Sequence, residues 1–180
     1  MHPGVAMSEL DDFLTPTLAR QIEAEQALVN GDPAPRLAMT SINDPVTVFG
    51  AKVPVRRGWD EVSEVLRWLA ARWSGSTEYR FDLLAADVSG DLAYMIGFEH
   101  IAHSVVGVPV EPYTLRVTHI FRRENGEWKI AHRHADYVPI DQTLPSHAST
   151  TKSDGREPVC LLPISERSAV RGGLRTSARG

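Results

Sequence analysis

Residues 116–138 read RVTHIFRRENGEWKIAHRHADYV, and this stretch decides the fold. Two strand-like runs flank Asn125-Gly126, a pair that favours the two-residue type I′ turn because both positions tolerate positive φ. With that loop, Glu124 stands opposite Glu127. Counting back places Phe121 opposite Ile130, His119 opposite His132, Val117 opposite His134 and Leu115 opposite Asp136. One face of the hairpin is then apolar with imidazoles set into it. The other carries Arg116, Thr118, Ile120 and Arg122 against Lys129, Ala131, Arg133 and Ala135. An apolar face that also holds titratable groups is where a pocket is expected. A single β-bulge would shift this register and change every assignment beyond it.

Further elements precede the hairpin. Thr15-Pro16 has the form of a helix N-cap followed by proline at the first helical position, and Leu18, Ile22 and Val29 recur on one face after it. A short second helix is predicted over 35–40 and a strand over 46–49. After Gly58 the spacing of Trp59, Val62, Leu66, Leu69 and Trp73 predicts the strongest helix, with Asp60 and Glu61 in its first turn. Strands are predicted over 78–87 and 91–103, turning at Ser89-Gly90. Helices followed by long antiparallel strands indicate an α+β domain.

The 180 residues carry 42% hydrophobic and 23% charged side chains, which suits one globular domain with its own core. A net charge of −4 gives no basic surface for nucleic acid or an anionic membrane. No apolar run approaches the ~20 residues that span a bilayer. The opening MHPGVAMSELDDF lacks the basic and apolar regions of a signal peptide, so a cytoplasmic location is expected. The single cysteine, Cys160, excludes an intrachain disulfide. Composition assigns residues 1–14 to a flexible N-terminus, 15–140 to the domain and 141–180 to a polar, disordered tail.

The order of elements, the phrase FRRENGEWKIAHRHAD and the Arg-Arg-Gly-Trp at 56–59 resemble the nuclear transport factor 2-like superfamily, in its SnoaL-like and ketosteroid-isomerase-like branches. The resemblance implies a curved antiparallel sheet wrapped as a cone around N-terminal helices. It also implies an internal pocket and a homodimer through the outer sheet face. The superfamily includes isomerases, polyketide cyclases, dehydratases, epoxide hydrolases and non-catalytic binding or assembly domains. Steroid isomerases of this type use a base aspartate that falls on Phe49 here and an oxyanion tyrosine that falls near Ala24. Neither group is present, so an acid and base are expected in the last two strands.

The candidate proton-handling set is therefore His119, His132, His134 and Asp136. Imidazoles at opposed and diagonal positions lie within ~4.5–8 Å of one another and can relay protons. They are equally consistent with hydrogen-bonded core histidines. Three histidines near a carboxylate also form an acceptable zinc set, but the resemblance implies neither metal nor cofactor. Tyr94, Phe98 and His100, with Phe49, Trp59 and Trp73 from the helical side, are expected to line a site for a small apolar molecule, carbonyl-bearing or polycyclic. Glu99 and Arg116 are predicted opposite each other, with Arg80, as a ladder on the outer face that a bulge would turn inward. The function expected is that of a cofactor-free acid–base isomerase, cyclase or dehydratase. The alternative is a non-catalytic ligand-binding or dimerisation domain of the same fold.

Overall fold

The computed structural model describes residues 8–139, so the tail expected over 141–180 lies outside the described residues. Helix α1 (Glu9–Leu28) begins well before Thr15. Ser8 caps it, its hydroxyl accepting from the Asp11 amide at 3.1 Å while its own amide donates to the Asp11 carboxylate. Pro16 therefore lies inside the helix rather than at its start, and residues 9–14 are helical rather than flexible. Helix α2 (Ala34–Met39), strands β1 (Thr47–Gly50) and β2 (Val53–Arg57), and helix α3 (Gly58–Ala70) follow. Trp73 falls beyond α3, in the short strand β3 (Trp73–Ser74). The remaining strands are β4 (Tyr79–Ser89), β5 (Leu92–Ile101), β6 (Ser104–Val105), β7 (Val108–Pro109), β8 (Tyr113–Glu124) and β9 (Glu127–Tyr137).

Six strands form one sheet in the order β2-β1-β9-β8-β5-β4, antiparallel except for the β1–β9 pair. Its inner face packs on α1. Phe13 is fully buried and meets Phe121 and Trp128 edge-on, at ring-centroid distances of 5.3 and 5.0 Å. Burying a side chain of that size contributes about 2–3 kcal/mol. The apolar stripe of α3, built on Val62 and Leu66, closes on Val46, Val48 and Leu28. Among the described residues no helix is long and apolar enough to cross a membrane.

Two bulges set the register. The β8–β9 hairpin turns at Asn125 (φ 51°) and Gly126 (φ 82°), and Glu124 faces Glu127 as expected. The match holds to Phe121 opposite Ile130. There β9 takes in one extra residue, so His132 faces Ile120, Arg133 faces His119, and Asp136 faces Arg116. Beyond this point the two faces of β9 are exchanged relative to the expected pairing. On β4 a second irregularity lies between Leu83 and Ala85, and Phe81 rather than Arg80 stands opposite Glu99. Gly97 sits beside it. A Cβ there would meet the Asp82 carbonyl at 2.4 Å and the Phe81 ring at 2.7 Å, so only glycine lets that ring lie across the sheet.

Candidate active site

The shifted register sends the expected histidine set to opposite sides of the sheet. His119 is fully buried on the inner face. His132 and His134 alternate onto the outer face, where Phe49 meets both rings edge-on at 5.2 and 5.7 Å. The Thr47 hydroxyl lies 2.7 Å from His132 Nδ1. Asp136 is outside as well, in a two-pronged ion pair with Arg116 that holds its carboxyl below the ordinary value. Tyr94, Phe98 and His100 follow the same alternation outward. His100 lies between the Asp82 carboxylate, 2.9 Å away, and the Thr114 hydroxyl at 3.0 Å. Trp59 packs against the α3 core. The zinc set of three histidines is thus not assembled. Of the expected site residues, only His119, Glu99 and Trp73 belong to the interior.

An interior cavity does exist, and other residues build it. Its walls are apolar, with Leu28 of α1 and Val29 just after it, Val48 of β1, Val65 and Leu66 of α3, and Ile101 and Leu115 of the sheet. Its mouth is framed by Lys52, Trp73, Tyr113 and Tyr137. The free space inside is about 60 Å³, room for on the order of four water molecules. A polycycle would need the mouth to open.

Three buried charged side chains, Glu25, Arg36 and Glu99, and the half-buried Arg133 form the floor. Glu99, at 0% exposure, accepts from Arg133 Nη2 at 2.5 Å. Glu25, from α1, accepts from Arg36 Nε at 2.6 Å, and Arg36 Nη1 donates to the Thr40 hydroxyl. Both carboxylates are thus neutralised by a guanidinium, as burial of a charge requires. The pairing is incomplete. Glu99 Oε1, Arg36 Nη2, Arg133 Nε and both ring nitrogens of His119 have no hydrogen-bond partner among the described residues. Such orphans are rare in a folded interior and mark places that a ligand, a water or a shared proton would satisfy.

The environment separates the protonation behaviour of these groups. Burial raises the Glu99 carboxyl; Arg133 opposes this and the nearby Glu25 reinforces it. Burial also pushes His119 well below the ordinary histidine value, helped by Arg133 and Arg36, so its imidazole is neutral. Burial opposes the charge of Arg133 too, but Glu99 and Glu25 outweigh it and keep the guanidinium protonated. The buried Tyr79 hydroxyl, raised by burial and by Glu99, accepts from Gln21 Nε2 at 3.1 Å.

Glu25, Glu99 and His119 each bring one ligand atom within 4.8 Å of the others. They suit a proton better than a divalent metal. A cation there would face two guanidiniums that already balance the charge of the carboxylates, at low local dielectric. A carboxyl with a raised value, one free oxygen and a neutral imidazole behind it is instead an arrangement that can hold and release a proton.

Three floor residues escaped the sequence reading. Glu25 had a visible signal, because it falls at helical spacing on the stripe of Leu18, Ile22 and Val29. A charged residue on an apolar stripe needs a buried partner. Arg133 was hidden by the β9 bulge. Arg36, in a helix of six residues, gave no pattern.

A curved sheet closed over N-terminal helices, with a pocket whose floor is charged, defines the nuclear transport factor 2-like class. Within it, the chain belongs to the SnoaL-like domain family, whose model matches residues 23–141. A Streptomyces avermitilis protein of the NTF2-like family, provisionally named a dehydratase, is 25% identical, with 71% of this chain and 96% of that one covered and a TM-score of 0.56. A ketosteroid isomerase-like protein from Erwinia carotovora atroseptica is 17% identical over 72% and 98%, with a TM-score of 0.58. A superfamily protein from Salmonella enterica serovar Typhimurium is 15% identical over 83% and 100%, also at 0.58. The last two likenesses carry the fold alone. No curated protein sequence matches the chain.

Proposed function

We propose that the chain is a cofactor-free acid–base enzyme of the isomerase, cyclase or dehydratase type, and that Glu99 carries the proton. The supporting observation is a fully buried carboxyl at the floor of an apolar-walled cavity, with one oxygen tied to Arg133 and the other unpartnered. In this reading a small carbonyl compound places its α-carbon at Glu99 Oε1. Arg133 or the free Arg36 N–H faces the oxygen on which negative charge develops. Burial and Glu25 raise the proton affinity of Glu99, and Arg133 and the Tyr79 hydroxyl lower it. The provisional dehydratase name of the Streptomyces relative accords with this chemistry.

The test is α-proton exchange. Small enolisable ketones and β-hydroxy carbonyl compounds are incubated with the protein in D₂O and followed by NMR. Exchange above background is expected for the unaltered chain, with a loss of about 10²-fold or more in Glu99→Gln. Exchange at an unaltered rate in that variant would refute the assignment.

The guanidinium already bound to each carboxylate favours a second reading, a non-catalytic domain that holds a small molecule. Ligand binding without exchange in the unaltered chain would select it.

We also propose a homodimer through the outer sheet face. Leu92, Tyr94 and Ile96 of β5 and Ile120 of the adjacent β8, with Phe49 of β1 further across the same sheet, leave apolar surface there at 37–54% exposure.

A further inference from the structure

The cavity's charges leave one cation over. Among the described residues five charged ones line it: Glu25, Arg36, Lys52, Glu99 and Arg133. Arg36 and Arg133 are each bonded to a floor carboxylate, so the floor neutralises itself. Lys52 has no carboxylate within ion-pair distance among the described residues. Its Nζ stands 4.4 Å from the centroid of the Tyr113 ring and 5.7 Å from that of Tyr137. Both rings line the mouth of the cavity. Two aromatic faces thus hold the ammonium over the mouth, although a free lysine side chain would gain rotamer entropy by moving into solvent.

The backbone fixes this placement. Lys52 lies in the turn between β1 and β2, and that turn closes tightly at Gly50. A Cβ on Gly50 would meet Val53 Cγ2 at 2.5 Å. The field of Lys52 reaches the neighbouring buried imidazole. Burial holds His103 below its ordinary value, the Ser104 carbonyl opposes this, and Lys52 adds to it. The mouth is therefore positive on a chain whose net charge is −4.

We infer that Lys52 is a specificity-determining residue and that the cavity takes a small apolar monoanion, a short carboxylate whose charged end stays at the mouth beside Lys52 while its chain enters between the apolar walls. This rests on the proposed use of the cavity as a substrate site and names the class of substrate. An anionic end at the mouth keeps part of its hydration. At the floor it would lie against two carboxylates that already balance the two guanidiniums. The size of the cavity points the same way, because a space for a few waters fits a short acyl chain.

The probes are butyrate and its neutral, equal-sized amide, butyramide. They are titrated into the full chain, with binding followed through the fluorescence of Trp73 at the mouth and through backbone amide shifts. Butyrate should bind about fivefold to tenfold more tightly than butyramide, and added salt should narrow the gap. Lys52→Met keeps the apolar stem over the tyrosine rings and should abolish the preference; Lys52→Arg should retain it. Equal affinity for the two probes, no binding of either, or a preference that survives in Lys52→Met would overturn the inference. The outcome is separate from that of the exchange test. Butyrate can bind in a Lys52-dependent way whether or not Glu99 moves a proton, and Glu99→Gln can lose exchange whatever Lys52 selects.

Discussion

Replacing Arg133 by methionine removes the only guanidinium bonded to Glu99 among the described residues and leaves a fully buried carboxylate with Glu25 as its near neighbour. The carboxylate escapes by taking up a proton. Holding a carboxyl protonated at pH 7, when its ordinary value is 4.5, costs about 3.4 kcal/mol at about 1.4 kcal/mol per pH unit. In the unaltered protein Glu99 is already raised and bears part of that cost. The net loss expected at pH 7 is therefore about 2–3 kcal/mol, at or below the low end of values for breaking a buried pair. The sign of the pH dependence follows. A carboxyl whose folded value is raised retains its proton in the native state after the unfolded chain has lost it, so stability falls as pH rises through that window. His119, whose folded value is depressed, acts oppositely, but only below about 6.5, the ordinary histidine value. Above pH 6.5 the carboxyl acts without that opposition. Urea unfolding followed by tryptophan fluorescence at pH 6.5, 7, 7.5 and 8 should show the Arg133→Met deficit growing by up to about 1.4 kcal/mol per pH unit. Adding Glu99→Gln should recover most of the loss, because the buried charge is then gone. A deficit constant across this range, or a double variant no more stable than Arg133→Met, would refute the reasoning.

His119→Leu removes two unpartnered ring nitrogens from the core and should raise stability by about 1 kcal/mol; it should also reduce the gain in stability on raising the pH to 6.5, of which the depressed His103 and His132 keep their share, and calorimetry at pH 5 and 7 reads both effects. Gly97→Ala pushes a Cβ into the Asp82 carbonyl and the Phe81 ring and should cost about 3 kcal/mol or more, seen as a lower urea midpoint. Tyr94→Lys with Ile120→Lys should convert a dimer into a folded monomer in light scattering; an unchanged mass would place the assembly surface elsewhere. His132→Gln lies outside the cavity and should leave the pH profile of any exchange activity unchanged, whereas a flattened profile would return that histidine to the site.

Local chemistry made part of this fold legible. Asn125-Gly126 fixed its turn and the pairing as far as Phe121 and Ile130, and the Trp59–Leu66 spacing placed α3. Arg133 was misplaced because alternation carries the error of one unpaired residue along the rest of a strand, and a bulge at Ala131 has no composition that announces it. Glu99 was misplaced because the connection between β5 and β8 sets Phe98, not Glu99, opposite Arg116, which turns Glu99 to the inner face beside Leu115. On β4 the turn falls at Gly90-Asp91 rather than at the expected Ser89-Gly90, and with the irregularity at Leu84 this sets Phe81 rather than Arg80 opposite Glu99. Glu25 was legible in principle, since a carboxylate on the apolar stripe of α1 demands a partner. Its partner Arg36 is distant in pattern though near in space, eleven residues along the chain. What sequence could not supply was the pairing of charges across elements that meet only after folding.

The extra residue at Ala131 behaves as an inserted letter does in a reading frame. Upstream of it, inward and outward keep their meaning; downstream, every position is read in the opposite sense. Deleting Ala131 alone would leave composition, charge and hairpin turn untouched, yet it would turn His132, His134 and Asp136 toward the core and deliver Arg133 to the outside. Glu99 would then face imidazoles and a second carboxylate where it now meets a guanidinium. A length change of one residue in the last strand is therefore a larger alteration to the cavity than most substitutions within its wall. Relatives that share the His-Arg-His wording but differ in strand length by one would present different chemistry to whatever enters.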